Sequence, residues 1–443
     1  MKHYRTLIAL ILVGLMGLSV YSLVYNANTK ADKINELLKL EQKYENAKLY
    51  SRASDVYAQI VELDGSSKYY IEAMNMYLEL GDVNNGHLWG DAALEKFPTD
   101  PKVYEVMLEL YAKTEEYESA FKLLKEFDGR KLSSSAVKKI RNDLKYAHSM
   151  ERMYYEDIYE WSGRFAKMRT DSDKYGLLAG KGRNGIAASY KKLGYFVNDV
   201  IAACTMEDEW YFINEDGENE HNISYYIKGN IEEVGCYSDG VFPVCIDGKY
   251  SYYDMDFKRV VSSTASYDYA GAFYNGVAAV CNDGKWELID KNGKSVTGKT
   301  YQDILTDERG FCNSYERIFV KENNKYTLIN CEGQKIGSLT FDDAKAFFGD
   351  PYAAVKSGEK WGFVDTDGKY IINPKYENAE SFGSGLATVY EGLGWKYIDK
   401  SGKSCIEYEP NGFVECKSFC DDGIAFAKGE TGWWKIRLYA NKY

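Results

Sequence analysis

The chain has 443 residues, 45% of them hydrophobic, and a formal net charge of −12. That length exceeds one compact core and predicts two or more domains, while the apolar content excludes a disordered chain. The acidic balance, with no basic cluster to offset it, excludes nucleic acid as a partner.

Lys2 and Arg5 precede an uncharged apolar run from Leu7 to Tyr25. The run approaches the roughly 20 residues a helix needs to cross a bilayer. It is longer than the about 7–15 residues of a secretory h-region. Tyr25 stands where a small residue would aid cleavage before Ala27, and no cysteine is placed for lipidation. Residues 1–30 therefore read as a cytoplasmic N-terminus and a transmembrane signal anchor, with residues 7–25 in the membrane. The preceding positive charges keep the N-terminus inside. The expected location is the cell membrane, single-pass, with the bulk of the chain extracytoplasmic. A cleaved signal peptide is the alternative.

Residues 31–162 read as an all-α repeat domain with a period of about 34 residues. Ala53, Gly86 and Ala120 align; three places before them lie Tyr50, Val83 and Tyr117, and nine before them Tyr44, Tyr77 and Tyr111. This pattern resembles the tetratricopeptide repeat family over roughly 34–130. The resemblance implies antiparallel helix pairs with a concave face for peptides or proteins. Gly86 and Gly90 depart from it, standing where that family packs other residues. The stretch 135–161 reads as a further amphipathic helix. A helical spacer is the plainer reading of the whole region.

Residues 163–443 repeat eight times. One aromatic per unit recurs as Tyr175, Trp210, Tyr250, Trp286, Tyr326, Trp361, Trp395 and Trp433, at intervals of 35, 40, 36, 40, 35, 34 and 38 residues. Asp or Asn follows four places on in six units: Asn214, Asp254, Asp290, Asn330, Asp365 and Asp399. Gly follows seven places on at 182, 217, 293, 333, 368 and 402. Strings such as "GVAAV" and "GLATV" start ten places before the aromatic. The pattern predicts a β-hairpin whose second strand ends in a side-chain-capped turn with glycine at positive φ. The block resembles the WG-repeat family of bacterial proteins, although Trp361-Gly362 is the single full Trp-Gly pair. The resemblance implies a β-rich interaction domain without defined chemistry. Three evident strands per unit leave two architectures open, a propeller or an open β-repeat array. The length variation falls outside the ungapped part of the unit, which predicts insertions gathered on one side.

Several local strings invite chemistry that the repeat frame removes. Asp365, Asp367 and Gly368 form a D-x-D-G string, yet Asp365 and Gly368 sit at recurring turn positions and the closing glutamate of a calcium loop is missing. "GKGRNG" (180–185) fits a dinucleotide fingerprint by letter, but Gly182 is a turn glycine with no helix after it. Nine cysteines between Cys204 and Cys420 lack zinc-site spacing, and several of them, such as Cys204, Cys245 and Cys281, fall at apolar strand positions. Of four histidines, only His221 lies in the β region, in a polar stretch. No catalytic, cofactor-binding or metal residue is therefore assigned.

The resulting expectation is a non-enzymatic, membrane-anchored interaction protein with unknown protein or peptide partners, bound through both repeat regions. A cell-wall glycan binder, motivated by the many Tyr and Trp, is the alternative. A carboxylate-dependent hydrolase, resting on 67 acidic residues, stands behind both.

Overall fold

The computed structural model describes residues 29–261 and 265–441. The anchor expected at 7–25 lies outside the described residues. Among the described residues, no helix is long and apolar enough to cross a membrane. The chain divides between Lys145 and Tyr146 into two compact units, ahead of the expected boundary at 162/163.

The first unit is helical. Residues 29–46 form α1, followed by α2 (Tyr50–Leu63), α3 (Lys68–Leu80), α4 (Val83–Lys96), α5 (Pro101–Lys113), α6 (Tyr117–Gly129) and α7 (Ser135–Asp143). The repeat frame holds: Tyr50, Val83 and Tyr117 each open a helix, and Ala53, Gly86 and Ala120 are each buried one turn later. Gly81 ends α3 in the left-handed conformation, and the Asp82 side chain then caps α4 by accepting from the Asn85 N–H. Gly86 and Gly90 have a packing reason. A β-carbon at Gly90 would lie 2.4 Å from Met107 Sδ, and one at Gly86 3.3 Å from Leu110. Their absence lets α5 lie close against α4.

The second unit is an eight-bladed β-propeller. Eight antiparallel sheets follow one another along the chain. Blades 1 to 7 span 157–190, 192–222, 231–260, 269–289, 303–329, 343–376 and 378–406. Blade 8 takes its three inner strands from 415–438 and its outer strand from His148–Met153, which pairs along its length with the last strand, Gly432–Leu438. The start of the unit thus closes the ring on its end. This overturns the long helix expected over 135–161. The helix stops at Asp143, and Asp157–Ser162 is the innermost strand of blade 1. The misreading has a simple cause. Residues 148–162 hold the outer strand of one blade and the inner strand of the next, so no repeat aromatic marks them.

All eight repeat aromatics lie in the third strand of their blades. Each belongs to a different apolar cluster, and each cluster lies between that blade and the following one. Trp433 fills the joint between blades 8 and 1 and donates its indole N–H to the Glu156 carbonyl at 3.1 Å. Trp210 does the same to the Ile231 carbonyl at 3.1 Å, at the entry to blade 3. The capped turn forms as expected. Asp365 Oδ1 accepts from the Asp367 and Lys369 N–H groups at 3.0 and 2.9 Å, and Gly368 has φ 73°. The same bonds recur at Asn214, Asp290, Asn330 and Asp399.

Gly362, of the Trp-Gly pair, serves a different need. A β-carbon there would meet the Ile372 carbonyl oxygen at 2.5 Å. The outer strand Tyr370–Tyr376 bulges across it. Gly176 sits under a similar bulge, 2.5 Å from Ile186 O by the same measure. In blade 3 the turn glycine is replaced by Phe257, which nonetheless holds φ 60°. A bulky residue there carries strain of about 1–2 kcal/mol. Its ring stacks on Tyr226 at 4.6 Å and packs against the joint of blades 2 and 3, which offsets that strain.

The insertions do not gather on one side. One lengthens the connection leaving the outer strand of blade 2 and includes the short helix Ile223–Tyr226. The other extends the connection between the first two strands of blade 5, at 305–317. These two connections leave opposite ends of an up-and-down blade.

The closure sets a clear expectation. A chain beginning at Tyr146 melts in one cooperative transition. A chain beginning at residue 163 lacks the outer strand of blade 8 and the inner strand of blade 1, and melts at lower temperature with loss of cooperativity. Calorimetry of the two chains checks this; equal transitions would refute closure by residues 148–153.

A second expectation concerns Gly362. Gly362→Ala forces its β-carbon against backbone that cannot yield cheaply, and lowers stability by about 1–3 kcal/mol in denaturant titration.

Candidate functional site

The innermost strands of all eight blades converge on two adjoining cavities of about 410 and 540 Å³. Pairing register places Ile158, Leu193, Val234, Ala270, Ile304, Ala344, Ala379 and Cys416 at equivalent positions on those strands. The residue one place further lines the channel. It is charged in blades 6 to 8, as Lys345, Glu380 and Lys417. In blades 2 to 4 it is glycine, as Gly194, Gly235 and Gly271. The smaller cavity faces the charged blades and the larger one the glycine blades.

The charged wall is built of satisfied pairs. Lys345 Nζ lies 2.9 Å from Glu380, and Lys417 Nζ 2.6 Å from Glu415. Glu160 of blade 1 reaches across the closing joint, with both carboxylate oxygens 3.1 Å from the Ser418 N–H of blade 8. Burial pushes the Glu160 carboxyl up to about 7; Lys417 and the Ser418 N–H pull it down, and Glu308 and Glu380 add to the rise. Beside it, Trp161 stacks on Phe426 with ring centroids 5.2 Å apart. Trp161 is 3% exposed and lines the smaller cavity, and its indole Nε1–H has no hydrogen-bond partner among the described residues. A buried donor left unmatched costs about 1–3 kcal/mol, so an acceptor placed there gains binding energy.

A bridge crosses the channel between the cavities. The Tyr195 hydroxyl of blade 2 donates to Glu308 of blade 5. Lys167 Nζ sits 4.1 Å from the Tyr195 ring centroid and 4.6 Å from that of Tyr159. Burial lowers the Lys167 pKa, and Glu308 works against that shift. Glu308 is carried by the blade 5 insertion, which folds on itself. Asp307 Oδ1 accepts from the Arg309 and Phe311 N–H groups at 2.9 and 3.0 Å, and Oδ2 takes the Arg309 guanidinium at 2.9 and 2.6 Å. The Gly310 carbonyl then accepts from the Ala272 N–H at 3.0 Å. A β-carbon at Gly271 would sit 2.5 Å from that carbonyl oxygen, so the glycine lets the insertion close over blade 4.

The strings set aside in the sequence are placed as turns and strands. Gly182 has φ 74° in a blade 1 turn. His221 lies in the outer strand of blade 2, its ring 6.0 Å from Phe257. Cys204, Cys236, Cys245, Cys281, Cys312, Cys416 and Cys420 are buried, and burial pushes the Cys236 and Cys312 thiols up to about 12. Among the described residues, no cluster of His, Cys, Asp or Glu has the arrangement of a metal site. The channel residues were missed in the sequence, although a signal existed. "AGAF" (270–273), "AKAF" (344–347), "AESF" (379–382) and "CKSF" (416–419) share a small-x-small-Phe pattern whose variable place faces the channel.

Residues 227–250, 263–286 and 361–392 match the family described as WG containing repeat. No curated protein matches the chain. Among solved structures, the chain is similar to PorZ, a bacterial surface component of the type-IX secretion system of Porphyromonas gingivalis. The identity is 10% and the TM-score 0.35, over 63% of this chain and 42% of that one. It is also similar to Hsv2 of Kluyveromyces lactis, at 10% identity and TM-score 0.34, over 61% of this chain and 89% of that one. YCF48 bound to D1 peptide aligns at 9% identity and TM-score 0.35, over 66% of this chain and 96% of that one. The chain thus spans less than half the length of PorZ.

Glu160 makes stability depend on pH. Between about 4.5 and 7 the unfolded chain has lost this proton while the folded chain keeps it, so stability falls as pH rises through that window. Glu160→Gln removes this contribution. The variant is expected to melt about 2–4 °C above the unaltered chain at pH 8 and to show a smaller difference at pH 4.5. Melting curves at the two pH values decide it, and an equal difference at both would contradict the assignment.

Proposed function

We propose that the chain is a non-enzymatic, membrane-anchored extracytoplasmic interaction protein. Residues 7–25 would hold it in the membrane, the TPR-like helical repeats would carry one partner, and the propeller another. The supporting observation is the channel wall: paired carboxylates and amines, aromatic rings, and the unpartnered Trp161 N–H beside them. Such a wall suits a peptide segment, whose carbonyl would satisfy Trp161 and whose polar side chains would exchange with the existing pairs. Matching of three segments to WG containing repeats fits an interaction role.

Trp161→Phe keeps the stacking on Phe426 and removes the donor, and Lys345→Ala breaks the pair with Glu380. Proteins co-purified with the full chain from membranes should be lost, or reduced at least tenfold, with the double variant. Unchanged recovery would refute binding in the channel. The anchor is tested separately, by protease added outside intact cells, which should digest a C-terminal tag on a chain that fractionates with membranes.

The cell-wall glycan reading is favoured by one place. The repeat aromatics themselves are packed between blades, but Tyr225 and Tyr226 on the blade 2 insertion are 66% and 58% exposed. Co-sedimentation with purified wall material that is lost in Tyr225→Ala would support it.

A further inference from the structure

The helical unit contains a pocket of about 520 Å³ walled by α1, α2 and α3. Glu41 and Glu45 lie four residues apart on α1 and so share a face. Glu72 comes from α3 and Tyr57 from α2. Glu41 is 5% exposed, and its Oε1 atom has no hydrogen-bond partner among the described residues. Burying a carboxylate oxygen without a donor is costly, and proteins ordinarily match it with a cation or several N–H groups. Burial raises the Glu41 carboxyl to about 7, a hydrogen bond shared with the Glu45 side chain and the charges of Glu45 and Glu72 add to the rise, and a hydrogen bond from the Tyr57 hydroxyl works against it.

The cations already present do not fill this role. Lys68 is paired with Glu72, at 3.8 Å. Lys39 lines the pocket, but no ion pair joins it to Glu41 among the described residues. Nor do these acids have the arrangement of a metal site. The pocket is open and far larger than a bare ion needs, and Leu38 supplies an apolar patch beside the carboxylates. An ammonium or guanidinium group on an aliphatic stem fits both features, the stem against Leu38 and the charge against Glu41 and Glu45.

We propose that this pocket receives a lysine or arginine side chain of a partner protein, with the Glu41 carboxylate as its principal acceptor. The proposal rests on reading the chain as an interaction protein and names what its helical unit would recognise.

The test is calorimetric titration of the full chain, in low salt, with the peptide acetyl-Gly-Arg-Gly-Lys-Gly-amide. A control peptide carries citrulline and norleucine in place of Arg and Lys. The basic peptide should bind at pH 8 and the neutral one should not. Glu41 is about nine-tenths ionised at pH 8 and one-tenth at pH 6, so affinity should fall about tenfold between them. Glu41→Gln should abolish both the binding and its pH dependence. Equal binding of the two peptides, no binding of either, or unchanged binding by Glu41→Gln at an unaltered melting temperature would overturn the proposal. Trp161→Phe should bind the basic peptide as the unaltered chain does, so failure of the channel reading and failure of this one are separable.

Discussion

A ring of blades can close only if the wedge between each pair of sheets is filled, and here one repeat aromatic per blade joins the apolar cluster of every joint. Tyr175, Trp210, Tyr250, Trp286, Tyr326, Trp361, Trp395 and Trp433 each occupy a separate joint. Sheets pack about 10 Å apart at a face, and the alanine and valine side chains that recur on the second strands cannot span that distance alone, so second-strand rings such as Phe165, Phe242, Phe319 and Phe426 pack into the joints beside the repeat aromatics. Everything else follows from this spacing. The first strands line the axis, and the channel residues are whatever those strands present there.

That division of labour explains why the channel varies while the joints repeat. The joints obey a common packing demand, so their residues recur in register. The channel faces water, and no packing rule fixes its residues. Blades 2 to 4 place glycine where blades 6 to 8 place Lys345, Glu380 and Lys417, and the insertion of blade 5 folds into the room that Gly271 of blade 4 leaves. The Tyr195–Glu308 bridge is a consequence of that asymmetry, since Glu308 exists only on the inserted segment.

The two units present a shared chemical theme. In each, a carboxylate, Glu41 or Glu160, is held with its pKa near neutrality by burial. Their neighbourhoods differ. Glu160 has both oxygens near a backbone N–H and Lys417 close by, and belongs to a satisfied wall. Glu41 keeps one oxygen without a partner. Elevated pKa values accompany functional sites and structural networks alike. The unmatched atom, rather than the shift, separates the two cases.

From sequence alone came the two repeat regions, the helix registers at Ala53, Gly86 and Ala120, the eight aromatics and the turn geometry at Asp365 and Gly368. These are legible because each depends on contacts within one repeat or on local backbone preference, which a fixed spacing records. Tertiary structure alone decided the closure by His148–Met153, the strand identity of 157–162, the opposite placement of the two insertions and the composition of the channel. The closure and the channel bring together residues far apart in the chain, such as Glu160 with Ser418 and Tyr195 with Glu308. A single strand carries no mark of which partner it will meet across a ring, so only the closed fold could decide it.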